Sequence, residues 1–218
     1  MREEMKKIKH TEKDWLFCFA ATRFATLCLL VSAVFPSLSR AQAPEGAPAF
    51  KISQEDSSVK FSVKASVAID GTFKNWDATV TFTSSDLSTG VLDIKIQADS
   101  VSTGSGMKDG KLKSKDFFDV QQDPQITFHS TKFIQTGPDT IEVDGDFTIR
   151  GATKPEKLLF TVIGAGTGTG EVKGKMAFDR KDYGMTKGIP FVTIADRIEV
   201  TVDLKFKRVS GPPVDLKK

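Results

Sequence analysis

The chain has 218 residues, of which 39% are hydrophobic and 27% charged, and its formal net charge is +3. The first 43 residues hold seven Lys and Arg against four Asp and Glu, so the remainder balances 24 basic with 24 acidic residues. A neutral surface lacks the electrostatic footprint of a nucleic-acid-binding protein, so nucleic acid is excluded as an expected partner. Cys18 and Cys28 both lie in the first 43 residues, so the remainder has no thiol for a disulfide, a metal site or a nucleophile.

The N-terminal segment is typical of a secretory signal peptide. It has a basic start, an apolar run over 16–38 and the sequence Ala41-Gln42-Ala43, which matches an A-x-A cleavage site. Arg23 interrupts the run, and the uninterrupted part is shorter than the ~20 residues that a membrane-spanning helix needs. We therefore expect residues 1–43 to be removed and 44–218 to be one exported domain without a stable membrane span. We expect it in the periplasm, with secretion as the alternative.

The rest of the chain alternates apolar and polar residues, which indicates β-strands with one buried face. The clearest case is 198–206, where the alternation holds across nine residues and no helical period fits. Roughly eight such segments without a long amphipathic helix favour an all-β fold, a closed eight-stranded antiparallel barrel rather than a two-sheet sandwich. The other apolar series are Val59/Phe61/Val63, Val80/Phe82, Leu92/Ile94/Ile96, Ile126/Phe128, Ile141/Val143 and Phe147/Ile149.

Turn signals separate these segments. Glycine and proline supply the special backbone angles that hairpins use. They predict turns at Asp70-Gly71, Thr89-Gly90, 136–139, Asp144-Gly145 and Gly151.

The alternation stops over Asp109–Phe128, an aromatic and acidic segment. We predict a short helical insert here that carries Phe117 and Phe118 and closes one end of the barrel as a lid. A short lid cannot bury both rings within itself, so one of the two rings should insert into the barrel end and meet the ligand.

Three other patterns resemble catalytic or cofactor sites but are better explained otherwise. The glycine-rich stretch 164–170 is followed by a strand rather than a helix, so it predicts a hairpin loop and no nucleotide site. His129 points outward by alternation and no G-x-S-x-G elbow is present, which argues against a catalytic triad or a metal cluster. Asp116, Asp119 and Asp123 fit no EF-type calcium loop, and we expect Asp116 to cap a helix start and Asp123 to cap a turn before Pro124. No cofactor, metal or catalytic residue is expected.

Four segments resemble the YceI-like family of polyisoprenoid- and lipid-binding, lipocalin-like periplasmic proteins: 58–63, 109–128, 143–155 and the corner 180–184. The resemblance implies a barrel that holds a long apolar chain, such as an isoprenoid or fatty derivative, and binds rather than reacts. It also allows a homodimer. Ala65-Ser66 and Lys111 depart from the family pattern, which often has histidine at these places.

Candidate ligand-binding residues follow from the inward faces of the strands and from the lid. The same residues could form a plain core, since burial against a lipid or against another side chain stabilises equally, by ~25 cal/mol per Å². The candidates are Phe61, Val63, Phe82, Ile94, Phe117, Phe118, Phe128, Phe147, Ile149, Phe178, Val200 and Leu204.

Two arginines, Arg150 and Arg180, are candidates for charge interactions. The planar fork of Arg150 would suit an anionic head group, although an ion pair with Asp116, Asp119 or Asp146 is the favoured interpretation. Arg180 is expected to pair with one of its close neighbours in sequence, Asp179 or Asp182.

The leading hypothesis is non-enzymatic binding, transport or storage of a long-chain lipid in the cell envelope. The alternative is a fully packed barrel that acts as an envelope stress or interaction protein and binds a protein partner. An envelope hydrolase that uses Asp109 or His129 ranks last.

Overall fold

A computed structural model of the chain describes residues 46–66, 68–164, 166–189 and 191–217. The expected signal peptide lies outside these residues. In them the chain forms ten strands and one α-helix. The bounds are β1 Ala49–Ala65, β2 Ile69–Phe73, β3 Trp76–Thr81, β4 Val91–Gln97, β5 Val101–Ser102, α1 Gly106–Lys113, β6 Gln125–Gly137, β7 Thr140–Ile149, β8 Ala152–Ile163, β9 Thr169–Asp179 and β10 Ile194–Ser210.

All ten strands belong to one antiparallel sheet in the order β3-β4-β6-β7-β8-β9-β10-β1-β2-β5. The sheet curls into a barrel-like half-cylinder around an apolar core, so the all-β and antiparallel predictions are confirmed. The closed eight-stranded barrel is wrong in both strand number and closure. Residues 59–63 of β1 pair with β2, and β2 pairs with β5, so the free edge of β1 is already occupied where β3 would have to join.

β3, the strand at one end of the sheet, meets β1 through a side chain instead of a backbone ladder. The pairing of β1 with β10 shifts register between Ser53 and Ser58, and this irregular stretch brings Gln54 toward β3. The Gln54 side-chain amide donates to the carbonyl oxygen of Trp76 at 2.7 Å. The irregularity in the β1–β10 pairing thus lies in the stretch of β1 that contacts β3, and such bulges are common at barrel rims.

Three of the five predicted turns are confirmed, and two are wrong. Thr89-Gly90 precedes β4, residues 136–139 contain the turn between β6 and β7 at Pro138 and Asp139, and Gly151, with a φ of +68°, lies between β7 and β8. Gly71 and Gly145 lie inside β2 and β7. The reason is steric: a Cβ at either glycine would come within 2.5 Å of a phenylalanine ring on the neighbouring strand, Phe61 and Phe128 respectively.

Pro155 explains where the sheet loosens. It lies within β8, and proline cannot donate a ladder hydrogen bond. The first part of β8, up to Leu158, pairs only with β7, and pairing with β9 begins at Leu159. Within the described ranges, no helix is long and apolar enough to span a membrane.

Candidate functional site: a two-chambered apolar interior

The inside of the curled sheet contains two cavities at opposite ends. The large cavity has a volume of about 150 Å³ and the small cavity about 60 Å³. Aliphatic and aromatic side chains dominate both walls, and each cavity has one charged lining residue among those described: Arg208 in the large cavity and Arg180 in the small one. An apolar chamber with few polar groups has the usual composition of a site for an apolar small molecule.

The strands show how the two cavities are separated. On β4, Leu92 lines the large cavity and Ile96 the small one, while Ile94 lies between them and lines neither. The same succession occurs on β10, where Leu204 and Val200 line different cavities. The intervening buried side chains form a waist across the middle of the interior, which consists of Ile94, Phe128, Val143, Leu158, Met176 and Val202.

The sequence-derived candidates therefore fall into four places. Phe82 and Leu204 line the large cavity, Ile94 and Phe128 belong to the waist, and Arg150 lines neither cavity. The small cavity is lined by the other eight candidates: Phe61, Val63, Phe117, Phe118, Phe147, Ile149, Phe178 and Val200. The structure shows where these side chains lie, and their contact with a ligand stays a prediction.

The lid inserts both of its rings. Helix α1 is present as predicted, but it ends at Lys113, and Phe117 and Phe118 follow it in a turn rather than on the helix. Both rings are buried and line the small cavity. The Phe118 ring centroid lies 6.2 Å from that of Phe61 and 5.9 Å from that of Phe73. The helix thus positions a plug whose rings belong to the barrel core.

Arg150 ties this lid to a neighbouring corner. Its guanidinium donates to the carbonyl oxygen of Lys115 at 2.7 Å and to that of Gly184. The favoured ion pair with an aspartate is wrong, since none of the three proposed partners forms a salt bridge with Arg150 and Asp116 pairs instead with Lys111 at 2.6 Å. Both terminal nitrogens of the Arg150 guanidinium donate to backbone carbonyl oxygens, so an anionic head group would have to compete with these two hydrogen bonds.

The corner at the end of β9 is held by a buried arginine. Arg180, 5% exposed, contacts Asp196 at 3.0 Å and donates to the carbonyl oxygens of Met185 and Lys187. Its expected partners Asp179 and Asp182 are not used. The Asp179 carboxylate accepts instead from the Lys181 amide at 2.8 Å and caps the short turn.

Tyr183 anchors the same corner inside the core. It is 1% exposed, its ring packs edge-on against Phe147 and Phe178, and its hydroxyl donates to Glu156 at 2.9 Å. Burial, with this hydrogen bond, raises the pKa of the Tyr183 hydroxyl. The corner therefore bridges the place where β8 and β9 do not pair.

The acidic side chains of the lid region have structural partners. The Asp109 carboxylate accepts from the Thr103 amide at 2.8 Å and from the Thr103 hydroxyl at 2.6 Å, which lowers the pKa of Asp109. His129 is exposed, as its alternation predicts, and its ring nitrogen lies 2.7 Å from Asp93. Asp109 and His129 thus each have a hydrogen-bonding partner within the protein.

Sequence reasoning missed most of the large cavity. Its walls include Phe133 on β6, Phe160 on β8 and Phe206 on β10, together with Val214 and Leu216 of the C-terminal tail. The alternation of β10 had already placed Phe206 on the inner face. The tail carries a weaker version of the same signal, because Val214 and Leu216 alternate with charged residues.

Curated relatives match part of the chain. A protein described as "UPF0312 protein" from Pseudomonas savastanoi pv. phaseolicola is 37% identical over 98 residues, which is 45% of this chain and 51% of that protein. "Protein YceI" from Escherichia coli O157:H7 is 38% identical over 96 residues, 44% of this chain and 50% of that protein. The chain spans about half the length of the curated relatives it matches.

Solved structures share the fold over more of the chain. BcnA from Burkholderia cenocepacia superposes with a TM-score of 0.65 at 26% identity, covering 71% of this chain and 99% of that one. A polyisoprenoid-binding domain from Saccharophagus degradans, implicated in plant cell wall breakdown, superposes with a TM-score of 0.56 at 12% identity and covers 74% and 99%. The family model described as "YceI-like domain" matches residues 50–206, which contain every strand in full except the first residue of β1 and the end of β10. The chain belongs to the YceI-like family.

Proposed function

We propose that the protein binds a long-chain apolar lipid, of isoprenoid or fatty-acyl type, inside the curled sheet, without catalysis. The observation that carries this proposal is the apolar interior with a cavity at each end. Membership of the YceI-like family supports it, as does the shared fold with a domain described as polyisoprenoid-binding. The role that follows is to carry or store such a lipid.

A lipid needs more room than the described interior offers. An apolar cavity of 150 Å³ takes a molecule of about the size of benzene, whereas sites for larger ligands span ≈300–1,000 Å³. We infer that the bound chain crosses the waist and joins the two cavities. Met176 and Phe128 are the waist residues most suited to yield, because Met is flexible and one Phe ring can turn about two torsions.

The same small volume favours a second candidate, in which the interior is simply packed and the outer face binds a protein partner. The two candidates differ in what a probe inside the waist would report. A tryptophan that replaces Phe128 faces the interior, whereas one that replaces His129 faces solvent on the same strand.

The Phe128→Trp and His129→Trp variants should therefore be titrated with geranylgeraniol and with palmitic acid, each with Trp76 changed to Phe. Lipid binding predicts a saturable change of fluorescence in the first variant and none in the second. Silence of Phe128→Trp with both lipids, together with a bare mass of the unmodified protein in native mass spectra of envelope preparations, would favour the packed, partner-binding barrel.

We further propose that the protein acts outside the cytoplasm of its cell, most simply in the periplasm, after cleavage behind Ala43. The intact mass of protein recovered from a periplasmic fraction tests this directly. A species that begins at Gln42 or earlier, or protein that stays with the cytoplasm, would contradict it.

A further inference from the structure

The segment after β10 forms part of the wall of the large cavity. The chain turns at Gly211, whose φ is +76° and where a Cβ would collide with the carbonyl oxygen of Ala47, so that only glycine fits. Residues 212–217, which we call the tail strap, follow this turn. The strap lies beyond residue 206, where the match to the YceI-like family ends.

Two pairs of hydrogen bonds hold the tail strap at its far end. The Asp215 amide donates to the carbonyl oxygen of Ser85 at 2.8 Å, and the Ser85 hydroxyl donates to the Asp215 carboxylate at 2.6 Å. The Lys217 amide donates to the Gln135 side-chain oxygen at 2.8 Å, and the Gln135 amide nitrogen donates to the Lys217 carbonyl oxygen at 2.7 Å. The strap is thus clamped to the β3–β4 connection and to β6.

Between its turn and its clamps the strap presents apolar side chains to the cavity. Val214 and Leu216 are partly buried against the core and line the large cavity, as does Pro213. They occupy space that the chain of a ligand would need.

The strap is also the wall with the least backbone support. The strands around the cavity are joined by long ladders, whereas the only ladder contact within 212–217 is a single bridge between Asp215 and Asp86. Prolines 212 and 213 have no amide hydrogen to add another. Removing the strap would therefore open the cavity without unzipping a strand.

The charged side chain of Arg208 lies next to the turn at which the strap begins. Arg208 is the charged residue among those lining the large cavity, and its guanidinium donates to the carbonyl oxygen of Gly211. No carboxylate of the described residues forms a salt bridge with it. An arginine has five donors in a planar fork, so a carboxylate or phosphate at the mouth would find a matching partner here.

We propose that the tail strap is the entrance of the large cavity for an amphiphile with an anionic head group. The ligand chain displaces Val214 and Leu216, and the head group stays at Arg208. The proposal rests on the lipid-binding function proposed above. It adds to that function an entrance for the ligand and a ligand class, anionic amphiphiles.

A reversible lock tests the entrance. Ser85→Cys and Asp215→Cys place two thiols where the side chains already touch, in a full chain with Cys18 and Cys28 changed to Ser so that only the new pair can oxidise. Association of cis-parinaric acid is followed by its fluorescence in stopped flow, with loss of two hydrogens by mass confirming the bond. We expect association at least tenfold slower in the oxidised form and restored on reduction. Equal rates in the two forms would overturn the proposal.

A second variant keeps the test independent of the disulfide. A chain that ends at Gly211 lacks the strap but keeps all ten strands, and it should bind the acid at least fivefold faster than the full chain. An unchanged rate overturns the entrance. If cis-parinaric acid and geranylgeraniol bind to no form of the protein, the proposed function itself fails, which is a different result.

The head-group assignment has its own matched pair. Arg208→Gln should reduce affinity for cis-parinaric acid at least fivefold and leave affinity for the corresponding alcohol unchanged, whereas Lys207→Gln should change neither. Equal losses for acid and alcohol, or an unchanged preference for the acid, would remove Arg208 as the head-group partner.

Discussion

Replacing Phe118 with Ala is the sharpest test of how the lid is built. The Phe118 ring is 7% exposed and packs against the rings of both Phe61 and Phe73, with centroid distances of 6.2 and 5.9 Å. Removing a buried phenylalanine ring costs about 3–5 kcal/mol, and each aromatic pair is worth ≈0.5–1.5 kcal/mol beyond its buried area. Because the ring already borders a cavity of about 60 Å³, we expect the site to enlarge rather than collapse and the loss to be about 4 kcal/mol.

The assay is urea unfolding followed by circular dichroism, with an exposed methionine of the same lid as the control. Met107 on α1 is 88% exposed, so Met107→Ala should change the free energy of unfolding by less than about 0.5 kcal/mol. The enlarged cavity of the Phe118→Ala protein should also take up benzene and regain stability when benzene is added. A loss below about 1 kcal/mol, with no effect of benzene, would mean that the ring does not plug the barrel.

Three further substitutions test other parts of the framework. In thermal unfolding, Gly145→Ala should lower stability by about 1–3 kcal/mol, because the added methyl group overpacks a phenylalanine ring of β6. Gly110→Ala in α1, where nothing lies within 4 Å, should be neutral or stabilising in the same measurement. Equal effects of the two substitutions would contradict this packing. Hydrogen bonds from Thr103 lower the pKa of Asp109, so their stabilisation is present above the ordinary value of 3.8 and is lost as the pH falls below it; Asp109→Asn should flatten this acid limb of the unfolding midpoint, and an unaltered limb would count against it. Arg150 has a φ of +55°, so Arg150→Ala loses two hydrogen bonds and keeps the strained backbone, and it should be about 1 kcal/mol less stable than Arg150→Gly by urea unfolding.

The sequence predicts strands well because their signal is local. Alternation needs only one buried face, and it identified segments of β1, β3, β4, β6, β7 and β10 and their inward residues. It also split β7 into two strands, since Asp144-Gly145 has the composition of a hairpin turn. Inside the sheet such a glycine instead leaves room for an aromatic ring on the neighbouring strand. Gly71 lies across from Phe61, Gly174 from Phe160 and Gly170 from Phe206. A ring covers a bare backbone in each pair, and this pairing depends on strand register, which a single strand does not specify.

The partners of the two arginines show the limit of local reasoning. For Arg150 and Arg180 the expectation was a nearby carboxylate, because charges attract and aspartates are abundant in the lid. Most of their actual partners are backbone carbonyl oxygens, such as those of Gly184 and Lys187, left without ladder partners at chain reversals. Which carbonyls remain unpaired is decided by tertiary structure, because a buried polar group must be satisfied wherever the chain leaves it.

The tail strap competes with a ligand for the apolar surface of the large cavity, and this competition sets how affinity depends on chain length. Burial of apolar surface contributes about 25 cal/mol per Å² whether a ligand or the protein's own side chain provides it. A ligand that displaces Val214 and Leu216 therefore first replaces burial that the empty protein already has, and only the additional apolar surface covered beyond these two side chains adds to affinity. Short chains should gain little, because they merely substitute for the strap, whereas a chain that passes the waist covers surface in both cavities. Affinity should accordingly rise with chain length most steeply once the chain is long enough to reach Met176, and a homologous series of fatty acids would show whether it does.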